Sequence, residues 1–375
     1  MKKCTVCNSP IDKSKKIFFS NRVVKYNNQY FNSQKKAKKA KIVNVNFVEC
    51  LKCKFLYNRS YKQLNYKIDY NSNRSYSKRF DKYLNDVLKY LSEFVLKKSN
   101  IKNILEIGFG DGKFIEKIIQ FDKKRFNISG YDPSYRKSKS VFKNVNLSSQ
   151  YYTDKIFVHP DLLIIRHTLE HISNVKKFLQ QILHENPNYV FIEVPCKEFV
   201  YQNNFHYFTN EHCSYFDNYS LLYLLKQFGY KKINIKKDFN KENILAIFKK
   251  DNKIIFSTKT KIIKNKFNIE KFKMKIKKKY NFKYDFLWGA AGKGVSMLNI
   301  LNIDNNKIPY IVDINKEIEG KFLAKSGVKI ISPITLKKLL ENKSKIFIMN
   351  KFYKKEIEDI LTKLKIPNKV YTLID

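Results

Sequence analysis

Two patterns in this chain combine residue types and spacings that point directly to chemistry. The first is a pair of Cys-x-x-Cys turns, Cys4-Thr5-Val6-Cys7 and Cys50-Leu51-Lys52-Cys53. Each turn presents two thiolates, and two such turns complete a tetrahedral site for zinc. Four thiolates leave no open coordination position, so the expected Zn2+ is structural. The 42 residues between the pairs exceed the common ~15–20. The intervening segment must therefore form a hairpin or small sheet that returns the second turn to the first. Disulfides are the poorer reading in a reducing compartment. Cys196 and Cys213 lie elsewhere and are not expected ligands.

The second pattern is Gly108-Phe109-Gly110-Asp111-Gly112, directly after the apolar run Ile104-Leu105-Glu106-Ile107. The chain has ten glycines, and three of them fall in these five positions. Such a loop lets the backbone turn sharply and approach a ligand that a Cβ would block. The following residues, Lys113 to Ile119, carry helix-type apolar spacing, so the string predicts strand, glycine loop and helix, the opening of a nucleotide-binding α/β unit. It is not the dinucleotide fingerprint, whose third glycine falls three positions after the second. Asp132, in Gly130-Tyr131-Asp132-Pro133, ends the next predicted strand. A carboxylate there can accept both hydroxyls of a ribose, while an ordinary Asp-Pro turn is the plain alternative. A second glycine loop, Gly289-Ala290-Ala291-Gly292-Lys293-Gly294, holds three more of the glycines. Its Lys293 suggests phosphate contact at a helix N-terminus, or else the loop only packs a helix on a strand.

The elements that must position these groups follow from periodicity. Residues 1–62 are the expected zinc module, with a solvated loop at Lys35–Lys41, and 61–80 are polar and turn-rich. A helix is expected over Phe80–Lys97. Strands are expected at 103–107, 126–131, 162–166, 189–193, 231–236 and 244–249, with helices at 113–121, 174–185 and 219–228 between them. This alternation predicts a mostly parallel sheet within an α/β domain spanning 63–250. The pattern restarts in 251–375, with a basic helical stretch at 262–279, strands at 284–288, 310–313, 328–331 and 345–349, and a helix at 295–301.

The net charge of +42 invites a nucleic-acid reading. It comes from 68 lysines and only seven arginines, whereas bidentate phosphate or guanine recognition favours arginine. The lysines are spread along the whole chain, as solvated faces are, so nucleic acid is not the expected partner. No apolar run reaches the ~18 residues that span a bilayer, and Met1-Lys2-Lys3-Cys4 opens no signal segment. A cytoplasmic protein is expected; weak attraction to an anionic membrane surface is compatible with the charge.

E-I-G-F-G-D-G resembles the first motif of class I S-adenosylmethionine-dependent methyltransferases. Further on, L-I-I-R-H-T-L-E-H-I, F-I-E-V-P and N-E-H-C-S-Y-F-D-N-Y-S-L-L-Y-L-L-K-Q-F-G-Y resemble the corresponding stretches of the sugar C-methyltransferases, which act on nucleotide-linked 4-keto-deoxysugars. The likeness extends to the paired cysteines at one end and, at the other, to the G-A-x-x-K-G loop with Leu298-Asn299, Asp313 and Ser332-Pro333. Essentially the whole chain is covered, in order.

The resemblance implies a class I methyltransferase doubly wound sheet, flanked by the zinc module and by a second Rossmann-like α/β domain. S-adenosylmethionine would be held by Glu106, Gly108, Gly110, Asp111, Gly112, Asp132, Pro133, His167 and Thr168. The base would be His212, oriented by Glu211 or by His171, with His171 as a second catalytic imidazole. Tyr76 and Tyr70 are the candidates for a further catalytic or substrate-binding phenol, and Gly289, Lys293 and Asn299 would contact a nucleotide-sugar substrate. Such a base would remove a proton α to a ketone while a donor stabilises the enolate oxygen. One departure matters. The family's tyrosine three residues before the base is Thr209 here, beside Tyr207 and Phe208. That leaves methyl transfer to sugar oxygen or nitrogen open, and a basic RNA methyltransferase is the reading from a different class.

Overall fold

The computed structural model describes residues 2–66, 76–135, 143–202, 205–251, 271, 274, 276, 278, 280 and 284–373. Within them, strands β1–β18 form three sheets. The basic stretch 262–279 and Tyr70 lie mostly or wholly outside the described residues.

The central sheet follows the predicted alternation. It contains β5 (Asn103–Ile107), β6 (Asn127–Tyr131), β7 (Val145–Ser148), β8 (Leu162–Arg166), β9 (Tyr189–Pro195), β11 (Tyr230–Asp238) and β12 (Asn243–Lys250). Their spatial order is β11-β12-β9-β8-β5-β6-β7. β5 pairs in parallel with both β6 and β8, while β12 runs antiparallel to β9 and β11. All five residues of β8 and all seven of β9 are buried, as strands covered by helices on both faces must be. β7, whose residues are only half-buried, carries too weak an apolar pattern to be expected from sequence.

The C-terminal sheet is a second parallel core of β13 (Phe286–Trp288), β14 (Tyr310–Val312), β16 (Lys329–Ile331), β17 (Ile346–Ile348) and β18 (Val370–Thr372). Two antiparallel strands close one edge: β15 (Phe322–Leu323) and then β2 (Tyr30–Phe31). β2 comes from the N-terminal module. That module's own antiparallel sheet joins β1 (Ser14–Val24), β3 (Ile42–Cys50) and β4 (Leu56–Asn58), and takes in β10 (Ser214–Tyr215) from the central segment. The N-terminal module thus gives a strand to one neighbour and receives a strand from the other. Its Lys-rich insert is not a loop throughout: Gln34–Lys38 form a short helix, begun by Ser33, whose hydroxyl accepts from Lys36 N–H at 3.3 Å.

Charged groups sealed between these units hold them in register. Lys197 is 2% exposed, and its ammonium lies 3.0 Å from Glu49 and 2.5 Å from Asp217 while donating to the Lys54 carbonyl at 2.6 Å. The helix Lys78–Leu91 is capped from outside. Glu356 of the C-terminal domain accepts from Ser77 Oγ and Lys78 N–H, both at 2.7 Å, placing a carboxylate where the helix dipole favours one.

Candidate active site

The glycine loop after β5 takes the form its composition predicts. Gly108, Gly110 and Gly112 have φ of 76°, 64° and 84°. A Cβ on Gly108 would stand 2.0 Å from Thr168 Oγ1, and that hydroxyl ties β5 to β8 by donating to the Ile107 and Arg166 carbonyls. Gly110 faces open space. Its N–H donates to Asp132 Oδ2 at 2.8 Å, and Asp132 Oδ1 accepts from Ser134 N–H at 2.8 Å, in the turn that begins at Pro133. Asp111 accepts from Lys113 N–H at 3.2 Å, at the start of the helix Lys113–Phe121. Glu106 is 1% exposed, and neither carboxyl oxygen has a hydrogen-bond partner among the described residues. Burial pushes its pKa to about 7, against the pull of Arg166. A buried carboxyl without a donor, an unfilled approach at Gly110 and a braced aspartate together fit a ligand with an ammonium and a ribose. S-adenosylmethionine has both.

Beside this loop lies a buried network that sequence reading missed. Glu193 Oε2 takes the Arg166 Nε at 2.7 Å, and Oε1 accepts from Tyr83 (2.5 Å) and Asn243 (3.0 Å). His167, with φ of 48°, lies 3.0 Å from Glu193 and 3.3 Å from Glu170. Burial disfavours charge on His167, but the two carboxylates outweigh it and raise the imidazole to about 9. Burial likewise opposes the charge on Glu193, yet Arg166 and His167 hold its carboxyl well below the usual range. His167, expected as a cofactor contact, is therefore a cation braced beside the glycine loop. The signal available in sequence was a glutamate within the otherwise apolar F-I-E-V-P strand.

A cavity of about 230 Å³ opens where the three units meet. Asn28 and Tyr30 come to it from the N-terminal module, His167 and His212 from the central domain, and Lys293 and Asp313 from the C-terminal domain. The His212 ring stands 4.9 Å from that of His171, edge to face. His171 Nδ1 lies 2.9 Å from the Glu211 carbonyl and 3.0 Å from Tyr66 Oη. A carbonyl only accepts, so Nδ1 carries the proton and Nε2 is the basic nitrogen. Burial lowers the His171 pKa.

Glu211 does not orient His212 through its side chain. Its carboxylate turns away and accepts from Asn27 N–H at 2.8 Å, Asn28 N–H at 3.4 Å and Asn28 Nδ2 at 3.2 Å. Burial raises it to about 7 and these donors pull it back. Glu211 thus acts on the histidines only through its backbone carbonyl.

The remaining expected residues divide. Tyr76 reaches the cavity, 38% exposed, with its hydroxyl donating to Glu317 at 3.1 Å. Gly289 (φ 118°) and Lys293 also line the wall. Lys293 already has a carboxylate: its ammonium lies 2.6 Å from Glu242 Oε1, bonds the Tyr207 hydroxyl and sits 4.2 Å from that ring's centre. Asn299 does not face the cavity. It is buried and spends its amide on the Val295 and Ala324 carbonyls, at 2.8 and 3.1 Å, because its helix turns that face into the core. His206, unremarked in sequence, lines the cavity and is lowered to about 3 by burial and then by Lys293.

The four cysteines converge as their spacing requires. Cys4–Cys53 and Cys7–Cys50 sulfurs are 3.5 Å apart, and all four lie within 4.8 Å of one another. Sulfurs at ~2.3 Å from a tetrahedral zinc are about 3.8 Å apart, whereas a disulfide needs ~2.05 Å. The cluster fits the metal.

Comparison with known proteins agrees with this anatomy. Residues 76–235 match the family described as a methyltransferase domain, and residues 228–365 match the C-methyltransferase C-terminal domain. Among solved structures, the chain is similar to the methyltransferase domain of bacterial CtHen1, at 19% identity over 46% of this chain and 100% of that one, with a TM-score of 0.36. A SAM-dependent methyltransferase from Aquifex aeolicus follows at 17% identity, 44% and 88% coverage and a TM-score of 0.35. The plantazolicin methyltransferase BpumL, in complex with a monoazolic desmethylPZN analogue and SAH, gives 15%, 48%, 87% and 0.37. No curated protein sequence matches. With both matched in order, the chain carries a methyltransferase domain followed by a C-methyltransferase C-terminal domain.

Proposed function

We propose that this enzyme methylates a carbon α to the ketone of a nucleoside-diphosphate-linked keto-deoxysugar, with His212 as general base and a structural Zn2+ on Cys4, Cys7, Cys50 and Cys53. The carrying observation is that one cavity joins His212, whose ring packs edge to face 4.9 Å from that of His171, to a second glycine-loop domain. When bound, S-adenosylmethionine supplies a methyl group already activated for transfer to a carbanion. Glu106 would meet its ammonium, Asp132 its ribose, and the N–H groups of the glycine loop its polar edge.

The protein's own part is proton transfer and charge stabilisation. The α C–H bond breaks, its proton goes to His212, and its electron pair moves into the enolate. An imidazole is suited to that task at neutral pH. The enolate oxygen needs a donor. Tyr207, whose hydroxyl is bonded by Lys293, and protonated His167 both line the cavity, and such donors act strongly where water is excluded. Thr209, in the place of the family's tyrosine, instead accepts from His212 N–H at 3.0 Å and holds the base's backbone.

The test is exchange of the α proton in deuterated water. The expected result is that wild-type protein exchanges it without the methyl donor, and that His212→Ala abolishes exchange and turnover while SAH affinity by calorimetry stays within about twofold. Loss of SAH binding along with turnover would mark His212 as structural. An O-methyl ether in the product, in place of a branched carbon, would assign the transfer to oxygen.

A further inference from the structure

Beside the cavity, three side chains from two segments bring metal-ligating atoms together. Glu170, His171 and His212 each offer one ring nitrogen or carboxylate oxygen, and these atoms all lie within 4.8 Å of one another. Glu170 and His171 belong to the short turn Leu169–His171 after β8, and His212 to the loop before β10. The backbone joins the two segments: Cys213 N–H donates to the Glu170 carbonyl at 2.7 Å, and His171 Nδ1 lies 2.9 Å from the Glu211 carbonyl.

The settings of these groups suit a cation. Glu170 is fully buried, and its Oε2 has no hydrogen-bond partner among the described residues. Burying a carboxylate oxygen unpaired is costly, so such an oxygen points to a ligand that the protein itself does not supply. The other oxygen lies 3.3 Å from His167 Nδ1. The His167 charge is shared with Glu193 at 3.0 Å, so it keeps a carboxylate once Glu170 turns to a metal. His171 spends Nδ1–H on the Glu211 carbonyl, which leaves the lone pair on Nε2. A backbone carbonyl on one ring nitrogen is the arrangement that orients the other toward a metal. His212 lines the cavity, so an ion reaches the cluster through the space that admits substrate. Two imidazoles and one carboxylate, with water in the fourth position, are a set that divalent transition metals take. Ligand atoms around a tetrahedral zinc stand about 3.3 Å apart, so the three side chains need only rotate inward around the ion.

We propose that Glu170, His171 and His212 form a divalent transition-metal site, distinct from the four cysteines, and that its occupancy switches off proton abstraction. A neutral imidazole has one nitrogen lone pair. A metal on His212 takes the pair that would receive the α proton, so the ion and the reaction compete for one group. The inhibition rests on the reading of His212 as the base; the binding does not.

The probe is Zn2+, with full-length protein dialysed at micromolar free metal and the bound zinc counted by atomic emission. Wild-type protein should hold one ion more per chain than His171→Gln, His212→Gln or Glu170→Gln, the four cysteines being common to all. SAH binding by calorimetry shows which variants are folded, and the half-buried histidine variants decide if Glu170→Gln is not. The affinity for the extra ion should fall at least about a hundredfold in His171→Gln. Added Zn2+ should slow α-proton exchange in deuterated water at least about a hundredfold, and a chelator too weak to strip four thiolates should restore it. Equal zinc counts in wild type and the folded variants overturn the site, whether the extra ion is absent or held elsewhere. An extra ion lost in the variants, with exchange indifferent to Zn2+, keeps the site and overturns the switch. Wild-type protein that exchanges no α proton in zinc-free buffer overturns the base assignment, while the metal count still decides the site.

Discussion

Two side chains carry predictions that separate binding from chemistry. Tyr207→Phe removes a hydroxyl that Lys293 bonds within the cavity. If that phenol stabilises the enolate, kcat should fall about a hundredfold with KM and SAH affinity nearly unchanged, measured by steady-state turnover and calorimetry. Glu106 gives a pH dependence. Its pKa is raised to about 7, and an ammonium-bearing ligand needs the ionised form. SAH affinity should therefore rise with pH through 7, being about tenfold weaker at pH 6 than at pH 8, and Glu106→Gln should flatten the profile. The glycine loop and Asp132 were readable because their roles are local: three positive-φ positions and one crossover helix fix them. The partners of Glu211 were not, because Asn27 and Asn28 stand 184 and 183 residues away.

At the scale of elements, the segment before β2 is the joint of the molecule. Asn28 Nδ2 donates to Glu211, and Asn28 Oδ1 accepts from Gly292 N–H at 3.1 Å. Asn27 Nδ2 donates to the Gly292 carbonyl at 3.0 Å. One dipeptide thus ties the N-terminal module to the loop that bears His212 and to the second glycine loop. Asn28→Ala removes both of its amide bonds and leaves a buried carboxylate short of a donor, which costs about 1–3 kcal/mol, read by chemical denaturation. Most strands and helices were legible from apolar spacing. β2, β10 and β15 were not: each is two residues long and exists only because a partner strand from elsewhere in the chain comes to it.

At the scale of the whole molecule, the N-terminal four-cysteine module is woven into both neighbours. Stripping the metal with a chelator should therefore lower the unfolding temperature of the entire chain in one transition, rather than release a separate early one, as calorimetry would register. Two transitions would show that the shared strands β2 and β10 do not couple the units. The charge is a different matter at this scale. Despite a net +42, the cavity wall carries Glu211, Glu242, Asp313 and Glu356 beside Lys293 and His167, so the site has its own electrostatics. Among the described residues, no helix is long and apolar enough to cross a membrane.

The sequence alone determined what depends on neighbours along the chain: which residues turn, which strands are buried, where a glycine loop meets a helix, and which thiols pair. Those properties follow from backbone sterics and from apolar period. Only the tertiary structure decided which groups share a cavity, because packing joins segments hundreds of residues apart. It paired Lys293 with Glu242, turned Asn299 into the core and Glu211 toward the N-terminal module. It also set a second braced aspartate, Asp313, at the cavity wall. A buried charge takes its character from what surrounds it, and that is fixed only when the chain has closed around it.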